Sequence, residues 1–175
     1  MTIRDDLLSD DIHVISKGLD DLDAGLRKKH DHADLLDILS LFSLSDDTEI
    51  VRKVTWCVAK MGQNKVNDIR LTELLTKLAV NGDNVVRENV AWGIGETAGT
   101  VVMSSEAMEA ISLLMDDDER DVRGMAAWAA GRFHHKCGYM TAMIRTKLEV
   151  LSDDHSDFVR SAARFALDNK KRERK

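Results

Sequence analysis

Apolar residues recur along the chain in short runs with the three- and four-residue spacing of amphipathic helices. The runs cover residues 35–44, 71–80, 107–115 and 144–151. The turns that follow them are Ser45-Asp46-Asp47, Asn81-Gly82-Asp83, Asp116-Asp117-Asp118 and Ser152-Asp153-Asp154. Each turn is rich in helix-capping residues and precedes a second helical segment. Each unit is therefore predicted to be a helix A, a short acidic turn and a helix B.

The B segments repeat one another. An aromatic residue marks the same position in each, at spacings of 36, 36 and 37 residues: Trp56, Trp92, Trp128 and Phe165. Valine and arginine open three of them, as Val86-Arg87, Val122-Arg123 and Val159-Arg160. In the first segment Ile50 best fits the valine position, which moves Arg52 one residue along. A fixed period of this length is typical of helical solenoids, in which each pair buries its apolar face against its neighbours.

This unit resembles the HEAT repeat, in particular the subclass named for phycobilisome lyases (PBS lyase HEAT-like repeats). That subclass starts helix B with Asp-x-x-Val-Arg and continues with an Ala-Ala-x-x-Leu-Gly-like middle. The matching segments here are Asp83-Asn84-Val85-Val86-Arg87 with Val90-Ala91-Trp92-Gly93-Ile94-Gly95, and Val122-Arg123 with Ala126-Ala127-Trp128-Ala129-Ala130-Gly131. The resemblance covers about residues 33–170. It implies an all-α, right-handed α-solenoid of four helix-pair repeats, and it says little about function.

We predict a single domain over residues 1–175. Its repeats span residues 33–66, 67–102, 103–138 and 139–169, and a basic tail follows at 170–175. Residues 1–32 precede the repeats and carry an amphipathic seam of Leu8, Ile12, Ile15, Leu19, Leu22 and Leu26. The seam favours an N-terminal helix that caps the first repeat, and the alternative is a homodimer seam.

Helical geometry places the aromatic position on the far side of helix B from its core. At about 100° per residue, Val54 and Val58 face the A helices, whereas Trp56 lies about 150° away. HEAT solenoids usually bind partners on the concave side, which the B helices line. We therefore expect partner binding by the aromatic line and by the polar row one turn later: Trp56, Trp92, Trp128, Phe165, Lys60, Glu96 and Arg132. The alternative is that each ring packs against the B helix of a neighbouring repeat.

Three arginines at the starts of the B helices have a different predicted role. Arg87, Arg123 and Arg160 come shortly after the acidic turns. We expect each of them to pair with an acidic turn residue of an adjacent repeat. Such a ladder would set the stacking of the repeats rather than contact a partner.

The amino-acid composition indicates where in the cell the protein is expected to act. The chain has no proline, which favours uninterrupted helices, and two cysteines far apart in the sequence, which do not form a disulfide framework. We therefore expect a reducing cytoplasm. The first residues do not resemble a signal peptide, and no run approaches the ~20 apolar residues of a membrane span, so no membrane association is predicted.

Charge follows the same geometry. The net charge is −6. The B segments and the tail nevertheless carry an excess of Lys and Arg, whereas the A helices, the turns and the N-terminal helix are acidic. This asymmetry predicts that acidic partners are steered to the concave face and repelled elsewhere.

The sequence contains no convincing motif for catalysis or for binding a cofactor. No glycine-rich phosphate loop of the Walker or Rossmann type is present. The histidine pairs at His30/His32 and His134/His135 lack the second half of a zinc site. The deoxyhypusine hydroxylases, which are also HEAT-like, bind iron through His-Glu pairs, and no His-Glu dipeptide occurs here. We therefore predict no catalytic residue, no metal and no cofactor.

The favoured function is a non-enzymatic protein–protein interaction module that binds a peptide or a partner helix. The alternative is a nucleic-acid-binding protein related to the HEAT-like DNA glycosylases, whose basic concave face carries tryptophans and a catalytic aspartate. The net charge of −6 disfavours that alternative, and so does the lack of an inner-row aspartate. A third alternative is a phycobilin lyase-like chromophore-attachment factor, although no residue specifically signals bilin handling.

Overall fold

The structure, a computed structural model, describes residues 2–168, so the predicted basic tail at 170–175 lies outside the described residues. The described residues form helices and turns and contain no β-strand, which confirms the all-α prediction. Their helices are α1 (Ile3–Leu7), α2 (Ile12–Arg27), α3 (Leu36–Leu41), α4 (Thr48–Gln63), α5 (Ile69–Leu78), α6 (Asn84–Thr97), α7 (Ser105–Leu114), α8 (Arg120–Cys137), α9 (Ala142–Leu151) and α10 (Asp157–Leu167).

The helices form two layers. The B helices α2, α4, α6, α8 and α10 pack side by side in chain order. The A helices α5, α7 and α9 pack against α6, α8 and α10 respectively and cover one side of that row. The other side of the row, which faces away from the A helices, is called the B-helix face below.

The core lies between the two layers. Val54, Cys57 and Val58 of α4 are fully buried there, as the periodicity predicts. The corresponding positions of α8 are mostly alanine, and they are buried as well. Burial also raises the pKa of the Cys57 thiol to about 12, which makes it a buried apolar group rather than a nucleophile.

The N-terminal segment differs from the predicted single helix. It contains two helices, because Ser9 and Asp11 interrupt the helical backbone. The Ser9 hydroxyl accepts the Asp11 backbone N–H at 3.1 Å, and the Asp11 carboxylate caps α2. The cap residues Asp11, Asp47 and Asp83 are 36 residues apart, so α2 occupies the place of a further B helix.

The apolar seam predicted for the N-terminal segment is buried in one part and exposed in the other. Leu19, Leu22 and Leu26 are fully buried within the chain, where α2 packs against α4. Leu8 and Ile12 remain exposed. The buried part of the seam therefore packs on the first repeat, while the capping role and the homodimer alternative stay predictions.

The first A helix is shorter than predicted. The apolar run at 35–44 folds as α3 with 3₁₀ turns at Ala33–Leu35 and Phe42–Leu44. Leu41 and Leu44 are consequently exposed. None of the helices among residues 2–168 is both long and apolar enough to cross a membrane.

Candidate functional site

Trp56 and Trp92 form the centre of the aromatic line on the B-helix face. Their ring centroids are 5.0 Å apart, and the ring planes are inclined by 39°. The indole N–H of Trp56 donates a hydrogen bond of 2.8 Å to Asp23 of α2. The line therefore continues onto the N-terminal helix pair, a contact that the repeat pattern does not reveal.

Trp128 and Phe165 each lie against a glycine of the preceding B helix. A Cβ atom on Gly95 would lie 2.7 Å from the Trp128 ring, and one on Gly131 would lie 2.7 Å from the Phe165 ring. These rings therefore pack between repeats, as the alternative reading expects. They are not fully covered, since Phe165 is 42% exposed and the three tryptophans are half-buried. The same side chains thus serve packing and offer surface.

Cations lie over the aromatic faces. The Lys60 ammonium is 5.7 Å from the Trp56 centroid and 5.9 Å from the Trp92 centroid. The Arg132 guanidinium is 5.2 Å from the Trp128 centroid. These distances suit cation–π attraction. Lys60 and Arg132 therefore lie beside the tryptophans, where the helical spacing of the sequence puts them.

Glu96 needs a correction, because the expectation of an accessible contact does not fit its surroundings. The residue is only 8% exposed. Its Oε2 accepts a 2.9 Å bond from Arg132, and the Lys65 ammonium lies 3.4 Å away. The close approach of α4 at Gly62, where a Cβ atom would lie 3.6 Å from the Glu96 Cβ, contributes to this burial. Glu96 thus holds two cations of neighbouring helices in place.

Two lysines of this region were missed by the sequence analysis. Lys65 lies just beyond α4 in a left-handed conformation, with φ of 68°, where helical periodicity no longer applies. Lys136 lies two turns after Trp128 on the same face of α8, so extending the count along the helix would have found it. Burial, followed by the positive charges of Arg132 and Lys65, lowers the pKa of Lys136.

The arginine row joins successive repeats. Arg87 of α6 binds Asp117 at 2.6 Å, and Arg123 of α8 binds Asp154 at 2.9 Å. Each guanidinium also donates to backbone carbonyls of its own turn. Arg160 differs, because its side chain binds the Asp154 carbonyl and Asp157 of its own helix.

A further pair extends this row at its N-terminal end. Arg52 binds Asp83 at 2.6 Å, although it stands one position after the aligned arginines. The turn residue that aligns with Asp117 is the neutral Asn81, so the carboxylate partner is instead the cap residue of α6. The one-residue shift of Arg52 is visible in the sequence, but its membership of the ladder is not.

These contacts lower the pKa of three carboxyl groups. For Asp83 the main cause is the hydrogen bond from Arg52. For Asp117 and Asp154, burial by itself raises the pKa, but hydrogen bonds from Arg87 and Arg123 and from backbone N–H groups outweigh it. The carboxylates are therefore held in their charged form.

An open cavity of about 270 Å³ adjoins Trp56 on the B-helix face. Its walls are formed by α2, α4 and α6 and include Asp20, Lys53 and Asn89. Lys53 is already bound to Asp20 at 2.6 Å. Within residues 2–168, no group of three or more His, Cys, Asp or Glu side chains is placed to hold a metal ion.

Comparisons with known proteins agree with this architecture. A family model described as HEAT repeats matches residues 71–168. A comparison with curated proteins gives no match. Among solved structures, the chain is similar to an engineered protein, with a TM-score of 0.69 and 18% identity over 94% of this chain and 76% of that chain.

Two designed proteins have a similar fold. One is a designed armadillo repeat protein in complex with the peptide (KR)4, with a TM-score of 0.68 and 15% identity over 94% of this chain and 79% of that chain. The other is described as a computationally designed armadillo repeat protein for modular peptide recognition, with a TM-score of 0.66, 15% identity and the same coverage. These similarities confirm the predicted α-solenoid.

Proposed function

Because the chain belongs to the HEAT repeat family, we propose that it is a protein-binding scaffold whose B-helix face holds a peptide or a partner helix. The observation that carries this proposal is the line of half-buried aromatic residues along that face. Trp56, Trp92, Trp128 and Phe165 all retain accessible surface there.

The physical reason is the free-energy cost of leaving aromatic side chains partly exposed to water. Large aromatic side chains gain most from complete burial, and they dominate the energetics of protein interfaces when a partner covers them. The rings here are already fixed by contacts with Gly95, Gly131 and each other. A partner therefore loses little free energy in ordering them.

The fold is compatible with this use. The two designed armadillo repeat proteins above are described by their peptide complex and by modular peptide recognition. At 15% identity the likeness extends to the fold alone. The assignment of a peptide ligand to this chain is our proposal.

The test uses a peptide selected from a random display library on the wild-type protein. We expect the Trp92→Ala/Trp128→Ala double variant to weaken the affinity at least tenfold, because truncation of aromatic anchors typically costs 1–2 kcal/mol or more each, about a tenfold change per 1.4 kcal/mol. The matched control is Val80→Ala/Leu113→Ala. These residues are exposed apolar side chains beside the A helices, and they line a different cavity.

Circular dichroism establishes that each variant keeps its helical content. The proposal is wrong if the folded tryptophan variant binds with unchanged affinity. It is equally wrong if the control variant loses the peptide instead, since the binding surface would then lie beside the A helices.

The finer expectations from the sequence belong to the same proposal. We propose a module without catalytic activity in a reducing cytoplasm, built from repeats of the phycobilisome-lyase type. The exposed thiol of Cys137 suits such a compartment. The arginine ladder of Arg52, Arg87 and Arg123 is proposed to serve stacking only. Arg160, which was expected to belong to it, binds its own turn and helix instead.

A further inference from the structure

The two ends of the B helices carry opposite charge. Acidic cap residues stand at their N-terminal ends, as in Asp47, Asp83 and Glu119. Basic residues gather near the C-terminal ends of α4 and α8 and are called the basic edge here: Lys60, Lys65, Arg132 and Lys136. The helix dipole favours cations at helix C-termini, but it does not by itself require so many of them.

The basic edge has more positive than negative charge. Its buried carboxylate, Glu96, is shared by Arg132 and Lys65. Among residues 2–168, Lys60 and Lys136 have no carboxylate oxygen within the 4.0 Å of an ion pair. Burial is the main cause that lowers the pKa of Lys136, and repulsion by the neighbouring cations Arg132 and Lys65 lowers it further. An anionic group from outside would relieve this repulsion.

The basic edge lies directly beside the aromatic line. Lys60 and Arg132 are four residues after Trp56 and Trp128, and Lys136 is four residues further, with a rise of about 6 Å for each step. A segment that lies across the rings with its apolar side chains therefore has its polar side chains within reach of these cations.

We infer that the segment held on the B-helix face is an acidic peptide, with carboxylates bound by Lys60 and Lys136 and apolar side chains on the tryptophans. This inference rests on the proposed function and adds the chemistry of the partner. A basic segment is disfavoured there, because it would bring cations against cations whose nearby carboxylates are already occupied.

A peptide fits better than a nucleic acid for two reasons. The basic charge is confined to one edge, whereas the opposite edge is acidic and the whole chain has a net charge of −6. A nucleic acid carries charge along its entire backbone and is repelled by most of this surface. A peptide can direct its carboxylates to one side only.

The experiment measures fluorescence anisotropy with four labelled probes. They are a peptide of alternating Glu and Leu, its counterparts with Gln or Lys in place of Glu, and a single-stranded oligothymidylate. We expect the Glu peptide to bind most tightly and to weaken as salt is added, because exposed charge pairs are screened. The Lys peptide and the oligothymidylate should not compete.

The variant that tests the edge is Lys60→Gln/Lys136→Gln. We expect it to bind the Glu peptide about 3- to 10-fold more weakly and the Gln peptide unchanged, the magnitude that two partly exposed ion pairs supply. The matched control is Lys77→Gln/Arg145→Gln, which removes the same charge from α5 and α9 of the A layer.

The outcomes distinguish a failure of the acidic preference from a failure of the proposed function. If the Glu and Gln peptides bind equally, or if Lys60→Gln/Lys136→Gln has no effect, the acidic preference is wrong and the binding face stands. Failure of the Glu peptide to bind, or its displacement by the oligothymidylate, also overturns the inference. If Trp92→Ala/Trp128→Ala leaves Glu peptide binding unchanged, the proposed function itself fails.

Discussion

At the scale of single residues, Trp128 owes its position to a missing side chain. Gly95 of α6 lets the ring approach so closely that a Cβ atom would lie 2.7 Å from it and 3.0 Å from the Ala129 backbone. The same relation links Gly131 to Phe165. These glycines are there for close approach of a neighbouring helix, not for a special backbone conformation.

Gly95→Ala should therefore destabilise the protein by about 1–3 kcal/mol, the usual cost of overpacking. It should also change the intrinsic fluorescence, because the Trp128 ring must move. Urea unfolding followed by circular dichroism and by fluorescence measures both effects. The control is Gly82→Ala, since no atom lies within 4 Å of a Cβ atom there. Equal stability of the two variants would contradict this account of the ring's position.

The aromatic line follows from the sequence, because a 36-residue period fixes which residues share a face. The burial of Glu96 does not follow. It depends on how closely α4 approaches α6 at Gly62, and on Lys65, which lies beyond the helix. The periodicity of apolar positions in the sequence indicates the direction of a side chain but not its distance from the next helix.

At the scale of helices, three ion pairs connect successive turns. Arg52, Arg87 and Arg123 each bind a carboxylate in the turn before the B helix of the next repeat. The planar guanidinium of Arg87 and of Arg123 supplies donors to its own turn and to the following one, which lysine cannot do with the same geometry. These pairs therefore link the register of one repeat to that of the next.

This arrangement predicts a specific pH dependence. The folded pKa values of Asp83, Asp117 and Asp154 are lowered, so their contribution to stability is full above the unfolded value of about 3.9. It is lost as the pH falls through the lower folded values. The free energy of unfolding should therefore decline below about pH 4.

The variant Arg87→Gln tests whether the Arg87–Asp117 pair contributes to this pH dependence. It should be less stable by about 1–3 kcal/mol at neutral pH, the contribution of a charge-assisted hydrogen bond. The difference from wild type should shrink in acid, because a protonated Asp117 no longer attracts Arg87 in the wild-type protein. Arg160→Gln is the control, since Arg160 makes none of the three cross-repeat pairs. A difference that stays constant down to pH 2 would rule out this role for Asp117.

At the scale of the whole molecule, the sequence predicts the class of fold and the repeat units because both follow from periodic burial. It does not predict that residues 3–27 fold as a helix pair. Their apolar seam is compatible with one long helix, and only the side chains of Ser9 and Asp11 break it. The 36-residue spacing of Asp11 from Asp47 was the available signal.

The last B helix, α10, packs against one other B helix, α8. It exposes both polar and apolar side chains: Ser161, Arg164, Phe158 and Phe165. The inner helices α6 and α8 are instead covered by a B helix on both sides. The B-helix face is consequently the continuous surface that combines exposed aromatic residues with uncompensated charge, which is why the proposed function is assigned to it.

The most direct test of this assignment is an NMR titration of the three tryptophan indole N–H groups with the selected peptide. The chain has three tryptophans, and all of them lie on the B-helix face. We expect the Trp92 and Trp128 indole signals to shift in a saturable manner with a common dissociation constant. Indole signals that stay unchanged while backbone amides of α5 and α7 shift would contradict this assignment.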